Sequence, residues 1–372
     1  MMKKSLFCMT AALFALPTVT SAASPYFSLK DGDGFKRFSV SAGPLYVKPT
    51  GKAQPVFVNT AVKKGEQAQV GDVSIKTVKE SMSKDMDPNL STFFIDFLDK
   101  LGKEKLPAEL SGNANIYGLD QWDNPGTGLE ADDVTTLGIM TNYFFTDNVS
   151  LEIKAGIPPK VDLQGKGKIY APLKAQAHPS IELPLIGGIG LPSIDLEKQI
   201  FITDLEGHGS AASARAWTPA FEFQYHFGKT GVNKFRPYIG LGVMYAYFNE
   251  LEINPEIEKD LVNAGHMIVN IKDGKAGAAL DRLKSSGDPK VNLEASDAIA
   301  PVATAGFTYD FNDKWYAVGS VSYAHLKTDT TITVNDAKYG ELINAKADIE
   351  INPILGYAGI GYRFYISKAH KL

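Results

Sequence analysis

"KFRPYIGLGVMYAYF", residues 234–248, decides the fold. Its odd positions, Phe235, Pro237, Ile239, Leu241, Val243, Tyr245 and Tyr247, are all apolar or aromatic. Its even positions, Arg236, Tyr238, Gly240, Gly242, Met244 and Ala246, are mixed, with three small residues and one charge. A strand sends successive side chains to opposite faces, so one face suits lipid, with aromatics near both ends, and the other suits a narrow interior.

The same alternation recurs. Phe221, Phe223, Tyr225 and Phe227 face one way and Glu222, Gln224 and His226 the other; Val149, Leu151, Ile153 and Ala155 stand opposite Glu152, Lys154 and Gly156. Ile354, Ala358, Ile360, Tyr362 and Phe364 alternate up to an aromatic, followed by a polar tail, 365–372. Eight candidate strands emerge, at 36–49, 131–145, 149–161, 213–227, 235–249, 298–311, 314–334 and 347–364. An even number suits a closed ring, so the expected fold is all-β, an eight-stranded antiparallel transmembrane β-barrel.

Bulk properties bound this reading without deciding it. A composition 44% hydrophobic with 34 glycines would serve a soluble β-rich protein equally well, and a net charge of -4 gives no basic footprint for nucleic acid. The start supplies the compartment. Met1-Met2-Lys3-Lys4, an apolar run from Leu6 to Leu16 and the small residues Ser21-Ala22-Ala23 read as a secretory signal peptide over 1–23, because the run is too short to span a bilayer. Cys8, the only cysteine, lies in that segment, so residues 24–364, the expected barrel with its loops, have no thiol chemistry.

The connections are asymmetric. Thr146-Asp147-Asn148, 228–234 and Asn312-Asp313 are short; 50–130, 162–212, 250–297 and 335–346 are long. Barrels place short turns in the periplasm and long loops outside, which puts both termini in the periplasm. The long loops are expected to be partly helical. Leu90, Phe93, Phe94, Phe97, Leu98 and Leu101 recur at helical spacing after Asp87-Pro88-Asn89, and 256–271 resembles a second helix. Phe93, Phe94 and Phe97 suit either a funnel for hydrophobic solutes or the core of a loop subdomain. Residues 181–201 suggest a hairpin above the membrane.

By strand parity the interior receives Glu152, Lys154, Glu222, Gln224, His226, Arg236 and Arg363, all near the short-turn end. An eight-stranded barrel is only wide enough for side chains to fill. Opposite charges there should pair and form a polar plug, which either diverts an apolar solute sideways or simply stabilises a packed barrel.

Six segments in order, "SAGPLYVKPT", "TDNVSLEIKAGIPPKV", "WTPAFEFQYHFG", "KFRPYIGLGVMYAYF", "FNDKWYAVGSVSYAHLKTDTT" and "NPILGYAGIGYRF", resemble the OmpW family of small outer-membrane barrels of Gram-negative bacteria. The resemblance implies a porin-like channel for passive uptake of small hydrophobic molecules, released laterally through a gap in the wall. It also implies contact with outer-membrane lipid and lipopolysaccharide, and an assembly signal at Tyr362 and Phe364 read by the barrel assembly machinery. Ser322 and Met244 are the candidate constriction. Two departures stand out: the loops exceed those of typical members, and Ser322 takes the place of a bulky apolar lumen residue.

No catalytic or cofactor motif competes strongly. His178, His208, His226, His266 and His325 lack ligand spacing. Asp31-Gly32-Asp33-Gly34 lacks the distant glutamate of a calcium loop, and Gly187-Gly188-Ile189-Gly190 lacks the Lys-Ser/Thr of a phosphate loop. The expectation is therefore no enzyme, no cofactor and no metal. Two alternatives remain: a surface interaction protein, for adhesion or phage attachment, that uses its long loops, and a barrel-borne enzyme with His325, Asp329 and Ser210 at the outer rim.

Overall fold

The computed structural model describes residues 36–183 and 187–364. The expected signal peptide, the segment Asp31-Gly32-Asp33-Gly34 and the tail 365–372 lie outside these residues, as do Leu185 and Ile186.

Eight strands form the barrel: β1 (Phe38–Lys48), β2 (Val134–Phe144), β3 (Val149–Gly156), β4 (Ala220–His226), β5 (Phe235–Ile253), β6 (Ala298–Asp310), β7 (Trp315–Ala324) and β8 (Ile354–Phe364). Each pairs antiparallel with its neighbours in the series. The ring closes where β8 meets β1, from Phe38↔Phe364 to Lys48↔Ile354. Closure leaves neither β1 nor β8 as an edge strand, as a hydrocarbon environment favours because no water is there to satisfy an open edge. The outward face carries Ile239, Leu241, Val243, Ile299, Val321 and Ile360, with Leu241 71% and Ile299 75% exposed. Exposed aromatics flank this band: Tyr225, Phe227, Phe235, Tyr309, Trp315 and Phe364 at the short-turn end, Tyr46, Trp217, Tyr245 and Tyr247 at the other. This is the aromatic girdle pattern of a membrane barrel.

Four expected strands are interrupted. The stretch 149–161 divides at Ile157-Pro158-Pro159 into β3 and Lys160–Lys166, and 213–227 divides at Thr218-Pro219 into Ser210–Trp217 and β4. Proline has no N–H to give a ladder, so each ribbon breaks there. The stretch 314–334 divides after Ala324 into β7 and Lys327–Asp336. The stretch 347–364 divides at Ile351-Asn352-Pro353, with Asn352 at φ 40°, into Gly340–Glu350 and β8. The segment 335–346 is no long loop. It is a tight hairpin whose turn is fixed by Asp336, which accepts from the backbone N–H groups of Lys338 and Tyr339.

The other three loops build a folded domain on the barrel. They contain the expected helices, α1 (Pro88–Lys100), capped by the Asp87 carboxylate, and α2 (Pro255–Lys272), capped by Asn254. Strands dominate, however. One sheet orders Lys290–Ala295, Lys327–Asp336, Gly340–Glu350, Val56–Thr60 and Gln121–Asn124; another orders Ile194–Asp204, Lys168–His178, Asn113–Tyr117 and Glu66–Gln69. Helices and sheets share one apolar core that includes Phe94, Leu98, Leu119, Ile257, Ile268 and Leu342. Within the expected hairpin region, Ser180–Leu183 pairs with Gly187–Gly190. The nineteen-residue β5 joins the two halves: its lower part is barrel wall, and its upper part pairs with Ser210–Trp217 beyond the wall.

Candidate functional site

All seven residues assigned to the plug point into the lumen and are buried, Glu222 completely. They form two polar layers. In the first, at the short-turn end, Arg236 bonds Thr230 Oγ1 at 2.6 Å, the Asp147 carbonyl at 2.7 Å and the Asp147 carboxylate at 3.3 Å. Arg363 donates to Asp310 Oδ1 at 2.6 Å and lies 4.4 Å from the centre of the Tyr316 ring. His226 stacks on Tyr238 with ring centres 4.8 Å apart and contacts Gln224 Oε1 at 3.1 Å.

The second layer is centred on Lys154. Its ammonium group lies 2.5 Å from Glu222 and 3.5 Å from Glu152, and donates to Thr304 at 2.7 Å and Ser322 at 3.0 Å. Glu152 and Glu222 sit directly opposite each other on β3 and β4. Like charges so placed repel, and the lysine between them offsets the repulsion. Asn142 adds a bond to Glu152 at 2.7 Å. Glycine makes room for these large interior groups at two positions: a Cβ on Gly306 would lie 2.6 Å from the Tyr238 ring, and one on Gly361 would lie 2.1 Å from that of Tyr316.

Above Lys154 the interior turns apolar, with Ala220, Met244, Ala246, Ala300, Val302, Ala324 and Leu355 buried together. Met244 belongs to this layer. Ser322 belongs to the polar one beneath, as a lysine partner, which accounts for a small hydroxyl residue where bulk was expected.

The wall is interrupted at the height of this boundary. The β3–β4 ladder stops at Lys154↔Ala220 and resumes only where Ala216 N–H donates to the Pro159 carbonyl. A cavity of about 280 Å³ lies there, lined from inside by Lys154, Met244, Ser322 and Tyr357 and from the wall by Ile157, Pro158, Pro159, Trp217 and Pro219. Ile157 and Trp217 are also exposed on the outer face, at 57% and 44%, so the same side chains border the cavity and the lipid side. A second, apolar cavity of about 90 Å³ continues upward past Met244, Phe248, Leu326 and Leu355.

Sequence parity found the charged plug residues but missed several partners. Asp310, Thr304, Asn142 and Tyr316 all fall on inward positions of their strands, so that signal was available. Asp147 lies in a short turn, and Pro158, Pro159 and Pro219 lie within stretches whose alternation predicts continuous strands, so neither the Asp147–Arg236 pair nor the breaks follow from parity. Tyr362 and Phe364 lie on the outer face at the seam, with the Tyr362 ring 4.9 Å from Trp315 and that of Phe364 5.8 Å from Phe38. At the rim Ser210, His325 and Asp329 do not form a triad: among the described residues no hydrogen bond joins their side chains.

An eight-stranded barrel with a lipid-facing exterior, a polar floor and an interrupted wall defines a small outer-membrane barrel protein. A sequence model of the OmpW family matches residues 100–282 and 281–364, and the chain belongs to that family. It is 27% identical over 258 residues to outer membrane protein W of Vibrio cholerae, spanning 68% of this chain and 86% of that protein. Similar solved structures include the outer membrane protein OprG from Pseudomonas aeruginosa, at 15% identity and TM-score 0.45, covering 89% of this chain and 97% of that one. Another is the outer membrane protein AlkL in lipid bilayers, at 15% identity and TM-score 0.38, covering 93% and 98%. The protein is an outer-membrane protein.

Proposed function

We propose that the protein is a passive channel for small hydrophobic molecules, which enter from the loop side and leave sideways into the membrane through the interrupted wall. The carrying observation is the 280 Å³ cavity at the break, bordered by lumen and lipid-facing residues at once. Beneath it the Lys154 and Arg236 layers fill the barrel, so a solute moving down would have to displace paired buried charges. Leaving such pairs unmade costs several kcal/mol, whereas lipid beyond Ile157 and Trp217 accepts an apolar solute freely. Lys154 already has partners in Glu222, Thr304 and Ser322, which leaves little to hold an acidic solute; the reading favours uncharged ones. In this orientation the short turns and both termini are periplasmic, and Tyr362 and Phe364 form the assembly signal.

Two variants in liposomes test the reading by ion conductance and by transfer of naphthalene into the bilayer. Ala216→Phe, which fills the side cavity, should slow naphthalene and leave conductance low. Arg236→Glu, which breaks the floor, should raise conductance and leave naphthalene unchanged. If Ala216→Phe has no effect while Arg236→Glu raises both, the solute passes through the floor and the lateral route is wrong.

A second reading, a surface that binds another cell or a phage, draws on one observation: Phe93 and Ile95 on α1 are exposed beside the buried Phe94 and Leu98. Excising 50–130 cannot separate the readings, because Val56–Thr60 is paired with Gly340–Glu350. Phe93→Ser with Ile95→Ser keeps the domain intact; loss of cell or phage binding with transport unchanged would favour this reading.

A further inference from the structure

The hydrogen bonds on the floor of the side cavity leave one proton over. Thr304 and Ser322 stand directly opposite each other at inward positions of β6 and β7, and their hydroxyl oxygens are 2.7 Å apart. The Lys154 ammonium group donates to both, at 2.7 Å and 3.0 Å. Its third proton faces the carboxylates of Glu222, at 2.5 Å, and Glu152, at 3.5 Å. A hydroxyl has one proton to give and two lone pairs to receive. Each oxygen here commits one lone pair to the lysine, and only one of the two hydroxyl protons fits between them. Among the described residues neither hydroxyl has a further partner, so one proton is left unbonded.

The two hydroxyls differ in what surrounds them. Ser322 lines the 280 Å³ cavity and Thr304 does not. If Thr304 kept the free proton, that proton would be shut inside the floor without an acceptor, which is costly. If Thr304 donates to Ser322, the free proton belongs to the side chain that meets open space, and a hydroxyl rotates to suit. The second arrangement leaves no proton buried and unbonded. Two other hydroxyls at the cavity already have acceptors: Thr136 donates to the Ile157 carbonyl at 2.6 Å and Tyr357 to Ser41 at 3.0 Å. Apolar side chains, Met140, Met244, Val302 and Leu355 among them, make up much of the remaining wall. A space of 280 Å³ is well above the roughly 150 Å³ that holds benzene in another protein, so an aromatic ring with a substituent fits.

We propose that Ser322 sets the specificity of the side cavity. Its hydroxyl donates one hydrogen bond to the solute, so the channel prefers small, uncharged, mostly apolar molecules with an acceptor oxygen, such as ketones and aldehydes, over bare hydrocarbons. The inference rests on the channel reading and names the solute class of its site.

The test uses the full chain in lipid nanodiscs with labelled methionine methyl groups, titrated with naphthalene and with methyl 2-naphthyl ketone, which share one ring system. In the wild type the Met140 and Met244 signals should shift saturably with both. Ser322→Ala should weaken the ketone about two- to tenfold, the net worth of one hydrogen bond after exchange with water, and leave naphthalene within about twofold. Ser322→Thr, which keeps a hydroxyl, should retain the ketone. Thr304→Val removes the other hydroxyl that Lys154 reaches, so it disturbs the floor in the same way, yet it should leave both probes within about twofold. Equal weakening of the ketone by Ser322→Ala and Thr304→Val would mark floor damage and overturn the proposal, as would a Ser322→Ala protein that binds both probes like wild type. Transfer into liposomes separates the proposal from the channel reading. Naphthalene slowed by Ala216→Phe, with both probes indifferent to Ser322→Ala, would keep the lateral route and remove the role of Ser322. Ketone binding that depends on Ser322, with both transfer rates indifferent to Ala216→Phe, would keep the role and remove the route. No methyl shift with either probe would overturn both.

Discussion

The barrel and the loop domain are inverses of each other. In the barrel the apolar side chains, such as Leu241 and Ile299, are outside and the charges Lys154, Glu222, Arg236 and Arg363 are inside; in the loop domain Phe94, Leu98 and Ile268 are inside. Each half places its apolar surface where water is absent, so the same physical rule gives opposite patterns in one chain. The consequence lies at the junction. The loop-domain core is apolar and the upper barrel interior around Met244 is apolar too, so apolar cavities lie on both sides of the junction, above Lys154 and the broken wall.

The contrast can be broken from the barrel side first. Lys154→Ala removes the cation between two buried carboxylates that stand directly opposite each other. Loss of one partner from a buried pair costs about 3–5 kcal/mol, so urea unfolding in lipid should shift by that order, with ion leak rising. Replacing all three groups by neutral residues, Lys154→Met with Glu152→Gln and Glu222→Gln, should recover much of the loss. If the single variant is as stable as wild type, the cluster is not the floor described. In the loop domain Phe94→Ala, at a site 1% exposed, should cost about 3–5 kcal/mol through transfer and cavity terms. That loss should appear in proteolysis of the loops and leave the barrel's urea midpoint in place; a shifted midpoint would show that the two halves unfold as one. Leu241→Arg on the lipid face should cost about 2–4 kcal/mol near the bilayer midplane, measured by the same unfolding, and a neutral result would mean that this face does not meet hydrocarbon.

The barrel half was legible because period-two alternation survives at the level of single residues. The parity of 235–248 alone placed Arg236 inside and Leu241 outside, and both positions hold in the structure. That β8 closes against β1 follows from the even strand count, which suits a closed ring, and not from parity. The breaks were less so. Pro158, Pro159 and Pro219 were visible, but alternation carries across a proline without a change of parity, and only the missing ladder bonds reveal the gap. The loop domain was mostly illegible. Its strands face a core on one side and loops or solvent on the other, with partners as distant in sequence as Val58 and Ala345. No local pattern indicates such a pairing. Ile202 and Thr203 show the limit most clearly: both are buried because the pairing of Ile194–Asp204 with Lys168–His178 shifts register there, which parity cannot anticipate.

The smallest expected effect concerns how firmly the loop domain holds α2 over the cavities. The Asp273 carboxylate, at the C-terminal end of α2, accepts from Lys338 Nζ at 2.7 Å and Tyr339 Oη at 2.5 Å. These two bonds hold its pKa below the usual carboxylate value. Nearby, burial pushes the Glu66 carboxyl up, but Lys272, at 2.8 Å, and the Lys63 backbone N–H outweigh it, so this group is also lowered. A carboxylate with a lowered folded-state pKa contributes stability above its unfolded value, near 3.9–4.3, and loses that contribution as pH falls through the folded value. Amide exchange in the last turn of α2 and in the 336–340 hairpin should therefore rise a few-fold relative to Asp273→Asn as pH drops below about 4. The variant at each pH serves as the reference because intrinsic exchange cancels between the two. The barrel amides around Leu241 should show no such difference, since no group near them titrates against Asp273. Equal exchange in wild type and variant at pH 6 would mean that the clasp contributes nothing, and that packing of Ile257, Leu261 and Ile268 alone keeps α2 in place.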